Sequence, residues 1–183
     1  MKISKIAMPL IAVMLIGTSS AALANPMVGG AAMYETKNIV ENAAASADHT
    51  TLVAAVKAAG LVDTLASDGP FTVFAPTNAA FAKLPAGTVE TLLQPESKNM
   101  LTAVLTYHVV PGRLTAADIA AMAKANGGKA VLTTVQGAKL TIWQKDGAWY
   151  VTDAKGGTAK IGPADVLQSN GVIHVIDSVL LPA

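Results

Sequence analysis

The chain has 183 residues, with 13 Lys+Arg against 12 Asp+Glu, no cysteine and a formal net charge of +1. Without cysteine there can be no disulfide, thiolate metal site, cysteine nucleophile or lipid-modified cysteine. A single arginine, Arg113, and lysines placed singly along the chain form no basic run to neutralise phosphates, so nucleic acid is not an expected partner.

Lys2 and Lys5, an apolar stretch over residues 6–16 and the small-x-small series Ala22-Leu23-Ala24 before Asn25 read as a secretory signal peptide over residues 1–24. The stretch is shorter than the roughly 20 apolar residues of a membrane span. This predicts a secreted or periplasmic bacterial protein, cleaved near Ala24 and without a transmembrane anchor. Removing 24 of the 183 residues leaves 159, a length for one domain, and the loss of Lys2 and Lys5 moves the charge from +1 to −1.

Residues 25–36 combine Pro26, Gly29 and Gly30 with small side chains and read as a flexible leader outside the core. The folded domain is expected over 37–183. Leu52, Val53, Val56 and Ala59 recur at helical spacing, with Gly60 placed for a left-handed C-cap, and Leu61, Val62 and Leu65 predict a short second helix. In FTVFAPTNAAFAKLP, Phe71 to Phe74 reads as a strand, Pro76 cannot donate to a ladder, Thr77 is a candidate N-cap and Phe81 turns into the core one helical turn later. Asn78 stands beside Thr77 at the same strand-to-helix join, where leaving one ladder strands backbone donors.

Val89, Leu92 and Leu93 mark another helix. Pro95 suits a first helical turn, and Met100, Leu101, Val104 and Leu105 share a face of the helix that follows. Val109-Val110 favours a strand closed by Pro111-Gly112. An alanine-rich helix follows, with Thr115 as candidate cap and Gly127-Gly128 as its stop. From Lys129 the period becomes two, with turns at Gln136-Gly137 and Asp146-Gly147, which predicts a meander of hairpins. Residues 171–181 are apolar at nearly every position, as in a strand covered on both faces. Helices collect in the N-terminal half and strands in the C-terminal half, so the fold class is α+β with a largely antiparallel sheet.

Three segments, FTVFAPTNAAF, LTYHVVPG and NGVIHVIDSVLLP, resemble in order and separation the signature blocks of the fasciclin-like domain family, and the likeness covers roughly residues 37–182. The resemblance implies a wedge-shaped β-sandwich carrying several helices, and Phe74, Thr77, Asn78, Phe81 and His174 fall in its structural motif. It also implies a secreted adhesion or matrix-binding module with no enzymatic activity. Its partner would be a protein or glycan at the cell surface or in the periplasm. Some family members are reported to carry apolar ligands such as carotenoids, so carriage of an apolar small molecule or lipid is the alternative.

The family likeness points to two candidate recognition elements. Tyr107 belongs to a segment implicated in receptor binding in animal relatives, and His108 is expected to hydrogen-bond toward the first block, with Asn78 as partner. Asp118-Ile119 resembles a short acidic-aliphatic element through which some animal members engage receptors, although an acidic residue one turn after Thr115 also suits the positive end of a helix. Tyr107 and His108 have polar tips that need partners if buried, and the loop from Tyr107 to Arg113 is the expected binding surface.

No cofactor or metal is expected. His49, His108 and His174 are dispersed and lack the i, i+4 spacing of helical zinc sites. Ser169, His174 and Asp177 form no nucleophile elbow, and strand neighbours point apart. For the carrier alternative, Met100, Met122, Trp143, Trp149 and Tyr150 are large or adaptable enough to meet an elongated apolar ligand.

Overall fold

The computed structural model describes residues 25–183, and the expected signal peptide lies outside them. The leader expected over 25–36 differs in the structure. Strands β1 (Met27–Val28) and β2 (Ala31–Ala32) pair as a hairpin, and Val28 and Met33 are buried in the main core. The Gly29-Gly30 pair, read as looseness, supplies the two positive-φ residues of that hairpin's turn.

Helix α1 (Ile39–Ala45) starts at a capping box, in which Asn38 accepts from the Glu41 N–H and Glu41 accepts from the Asn38 N–H. A single 3₁₀ turn over Ala47–His49 separates it from α2 (Thr50–Ala59), which ends at left-handed Gly60 as its position predicted. Helix α3 (Val62–Ala66) leads to β3 (Phe71–Pro76), then α4 (Asn78–Ala82), capped by Thr77, and α5 (Thr88–Leu92). Pro95 opens a 3₁₀ turn before α6 (Lys98–Tyr107), which runs into β4 (Val109–Pro111), and α7 (Ala116–Ala125) closes the helical part. The remaining strands are β5 (Lys129–Thr133), β6 (Lys139–Lys145), β7 (Ala148–Thr152), β8 (Thr158–Lys160), β9 (Val166–Gln168) and β10 (Gly171–Ile176).

Two four-stranded sheets result, in the orders β4-β3-β10-β9 and β5-β6-β7-β8. The second is the antiparallel meander expected from the period of two, turned at Asp146-Gly147 with positive φ at both residues. The first contains one parallel pair, β3 with β10, in which Phe74 lies opposite His174. That pair joins the first and last signature blocks at the centre of the molecule. Gly171 permits the approach, because a Cβ there would collide with the Phe71 carbonyl.

Strand alternation divides the interior. Val73, Ala75, Ile173 and Val175 face helices α1, α2, α5 and α6 in one core, while Phe74 and Ile176 face Leu140, Ile142 and Val151 of the second sheet in the other. The central sheet is therefore covered on both faces. All six residues of β10 are buried, as the uninterrupted apolar run predicted. The architecture is α+β, with two sheets packed face to face, helices over the outer face of the central one, and α7 packed in the second core beside β5.

Candidate functional site

The Tyr-His segment sits at the end of α6, where the chain turns into β4, and both side chains point inward. Tyr107 is fully buried. Its hydroxyl donates to the Lys139 carbonyl at 2.9 Å and accepts from the Ala154 N–H at 2.8 Å, tying α6 to β6 and to the β7–β8 turn. Burial pushes its phenol above the usual range.

His108 is also buried. Its Nε2 accepts from the Leu180 N–H at 2.9 Å, so the ring proton lies on Nδ1, which donates to the Val104 carbonyl at 2.8 Å. Burial lowers its pKa to about 4, and both ring nitrogens are used while the ring is neutral. Asp153, absent from the sequence-derived candidates, completes this corner. One oxygen accepts from the Lys155 and Gly157 N–H groups, and the other from Leu181 at 3.0 Å. His108 and Asp153 thus clasp the C-terminal segment, while Tyr107 ties α6 to the second sheet beside them.

Asn78 does not meet His108, which corrects the pairing implied by the family likeness. Its Oδ1 accepts from the Thr51 N–H at 3.0 Å and the Thr50 hydroxyl at 3.2 Å, while Nδ2 donates to the Ala47 carbonyl at 2.9 Å. Asn78 therefore caps the N-terminus of α2 from a distant part of the chain, a position where no local side-chain cap is present. The first block does reach His108 through the backbone, where the Phe74 N–H donates to the His108 carbonyl at 2.9 Å. Thr77 caps its own helix by accepting from Ala80, and Phe81 is buried.

His174 stacks on Phe74 with ring centroids 5.6 Å apart. Its Nδ1 accepts from the Asp165 N–H and its Nε2 donates to the Leu114 carbonyl at 2.8 Å, and burial lowers its pKa. Asp177 instead accepts from the Lys160 N–H and pairs with Lys83, so His174 and Asp177 form no relay. Asp118 is exposed and engaged in a capping box with Thr115, whose N–H and hydroxyl hold its pKa low. Ile119 is 3% exposed and packs in the second core, which corrects its reading as half of a contact element.

The loop from Tyr107 to Arg113 is largely occupied by the protein itself. Residues Tyr107 to Val110 are buried, and the Arg113 guanidinium donates to the Gln168 and Gly171 carbonyls. A family model described as Fasciclin domain matches residues 47–182. The chain belongs to the fasciclin domain family. Similar proteins include Protein sll1483 of Synechocystis, 52% identical over 156 residues covering 85% of this chain and 79% of the relative. Immunogenic protein MPB70 of Mycobacterium bovis is 36% identical over 177 residues, covering 91% and 80% respectively. The fold is similar to that of a FAS1 domain pair from the insect cell adhesion molecule Fasciclin I, with a TM-score of 0.71 and 18% identity over 79% of this chain and 51% of that one. This fasciclin domain thus spans about half of that pair.

Two other regions of the fasciclin domain bear on ligand binding. Between α1, α2, α3 and the central sheet lies an apolar cavity of about 30 Å³, lined by residues that include Ile39, Val56, Leu65, Leu105 and His108. The outward face of the β5–β8 sheet carries Trp143 stacked on Tyr150, with centroids 5.0 Å apart. Of the residues expected to meet an apolar ligand, Met100 is exposed on α6, Trp143 and Tyr150 lie on this outer face, and Met122 and Trp149 pack against the second core. The structure does not gather the five into one pocket. No helix among the described residues is long and apolar enough to cross a membrane.

Proposed function

We propose that this chain is an exported, non-enzymatic binding domain of adhesion type that presents a preformed surface to a protein or glycan partner. The observation that carries the reading is that the polar side chains of the three signature blocks are spent inside the molecule. Tyr107, His108, Asn78 and His174 each spend their hydrogen-bonding atoms on the protein's own backbone or side chains, so they act as fasteners of a rigid body. With that polar chemistry turned inward, recognition falls to the exposed faces. The likeness to a domain pair of an insect cell adhesion molecule supports the adhesion reading, and the signal-peptide pattern of residues 1–24 supports export.

Attachment of the purified, processed protein to washed envelopes of its source cells tests the proposal. Saturable attachment is expected, and failure of the folded protein to attach would overturn it.

Carriage of an apolar molecule is the second reading, favoured by the apolar cavity beneath α1, α2 and α3. Ligand pockets are typically about 300–1,000 Å³ against about 30 Å³ here, so a carotenoid or lipid would have to part those helices. Protein purified from its native source would then retain visible absorbance or extractable lipid. Colourless, lipid-free protein would remove this reading.

A further inference from the structure

The hairpin registers align Lys129, Trp143, Tyr150 and Lys160 in one row across β5, β6, β7 and β8. Beside it runs a row of Val131, Thr141, Thr152 and Thr158. The intervening residues, such as Leu140, Ile142 and Val151, are buried in the second core, so both rows face outward. Trp143 Nε1 donates to the Thr152 hydroxyl at 2.9 Å, and that hydroxyl lies 3.4 Å from Thr158 Oγ1. Lys129, Thr141, Trp143 and Thr152 together line an open concavity of about 470 Å³.

Charge is segregated onto this sheet. Residues 129–160 contain five lysines and two aspartates, a net of +3, whereas the rest of residues 25–183 contains six basic and ten acidic residues, a net of −4. One of the two aspartates, Asp153, is buried and spent on backbone N–H groups. The other, Asp146, stands at the β6–β7 turn. The lysines thus form a positive island on a negative body, a distribution that draws anions to one face and repels them elsewhere.

We infer that this outer face binds an acidic polysaccharide, with a uronate unit seated in the concavity lined by Lys129, Thr141, Trp143 and Thr152. The inference rests on the binding-domain reading and deepens it by naming the face and the partner chemistry. The apolar C–H face of a sugar ring packs on the half-buried indole, the threonine hydroxyls meet its hydroxyls, and the Lys129 ammonium meets its carboxylate. Three interstrand steps of about 4.8 Å place Lys160 roughly 14 Å from Lys129, in reach of a second carboxylate further along the same chain.

Other macromolecules fit this face less well. The central parts of protein interfaces are depleted in lysine, whereas here lysines bracket the aromatic pair. An anionic membrane is engaged by apolar groups that insert, but Trp143 and Tyr150 are stacked on each other and half-buried. A nucleic acid strand calls for a basic groove that tracks every phosphate, whereas the lysines of this row sit only at its ends.

Electrophoresis of the processed protein through gels containing polygalacturonate, with neutral dextran as control, tests the inference. Retardation by polygalacturonate alone is expected, weakening as salt rises because the charges are exposed. Lys129→Glu and Lys160→Glu, both at exposed positions, should each weaken it at least tenfold, and Trp143→Ala should abolish it without loss of the folded circular dichroism spectrum. Retardation unchanged in the lysine variants, equal retardation by dextran, or tighter binding to an oligothymidylate or to phosphatidylserine vesicles would each overturn the inference. Envelope attachment measured on the same variants separates the two claims. Attachment that survives Lys129→Glu, without polygalacturonate binding, overturns the inference and leaves the binding-domain reading standing, whereas loss of both in the wild type overturns both.

Discussion

The Nε2 of His108 accepts the backbone N–H of Leu180 at 2.9 Å across 72 residues of sequence. The bond exists only while the imidazole is neutral, because a protonated ring offers donors alone. Burial holds the folded pKa at about 4, against 6.5 for a free side chain. With the folded value below the unfolded one, the stabilisation is fully present above pH 6.5 and is lost as the pH falls from there toward 4.

The wild type should therefore lose on the order of 3 kcal/mol between pH 7 and 4 relative to a His108→Gln variant, since each pKa unit corresponds to about 1.4 kcal/mol. Urea denaturation across that range is the measurement. At pH 7, His108→Ala should lower stability by about 2–4 kcal/mol, through a cavity and an orphaned Leu180 N–H. An unchanged melting curve would count against a buried role.

Tyr107→Phe retains the ring and removes the hydroxyl that bridges Lys139 and Ala154. Both backbone groups then lose a partner, at a cost of about 1–3 kcal/mol. Because Tyr107 is fully buried, attachment to a partner should be unaltered under conditions where the variant is folded. Weakened attachment with an unchanged denaturation midpoint would place Tyr107 in a recognition surface instead.

Asn78→Ala strips the N-terminus of α2 of its cap and should cost about 1–2 kcal/mol, in the range of other cap deletions. Since Asn78 and His108 share no hydrogen bond, the double variant with His108→Gln should be additive within about 0.5 kcal/mol. A larger coupling, read from chemical denaturation, would restore the pairing implied by the family likeness.

Met33 is 2% exposed within the core, so Met33→Ala should destabilise the protein by about 2–5 kcal/mol. A chain beginning at Lys37 should likewise melt at lower temperature than the processed chain, by calorimetry. Equal melting temperatures would return residues 25–36 to the status of a leader.

Much of the fold was legible because its signals are local. Gly60 and Thr77 announce helix ends through backbone geometry and a hydroxyl within one turn. The Asp146-Gly147 turn determines that Trp143 stands opposite Tyr150, since a two-residue hairpin counts its pairs outward from the turn. Residues 25–36 are not legible in this way, because their glycines and alanines suit a hairpin turn as well as a loose tail. Only the burial of Val28 and Met33 distinguishes the two.

From the chain alone came the export pattern, the α+β class, the meander of hairpins and the family blocks, all of which depend on neighbours a few residues apart. Three-dimensional packing alone assigned His108 to Leu180 rather than Asn78, enlisted Asp153 in the same clasp, placed Ile119 in the interior, and gathered scattered lysines around Trp143 and Tyr150. A side chain's residue type states which hydrogen bonds and burial it requires. Which distant backbone group or strand supplies them depends on how the sheets stack, and that is a property of the whole folded chain.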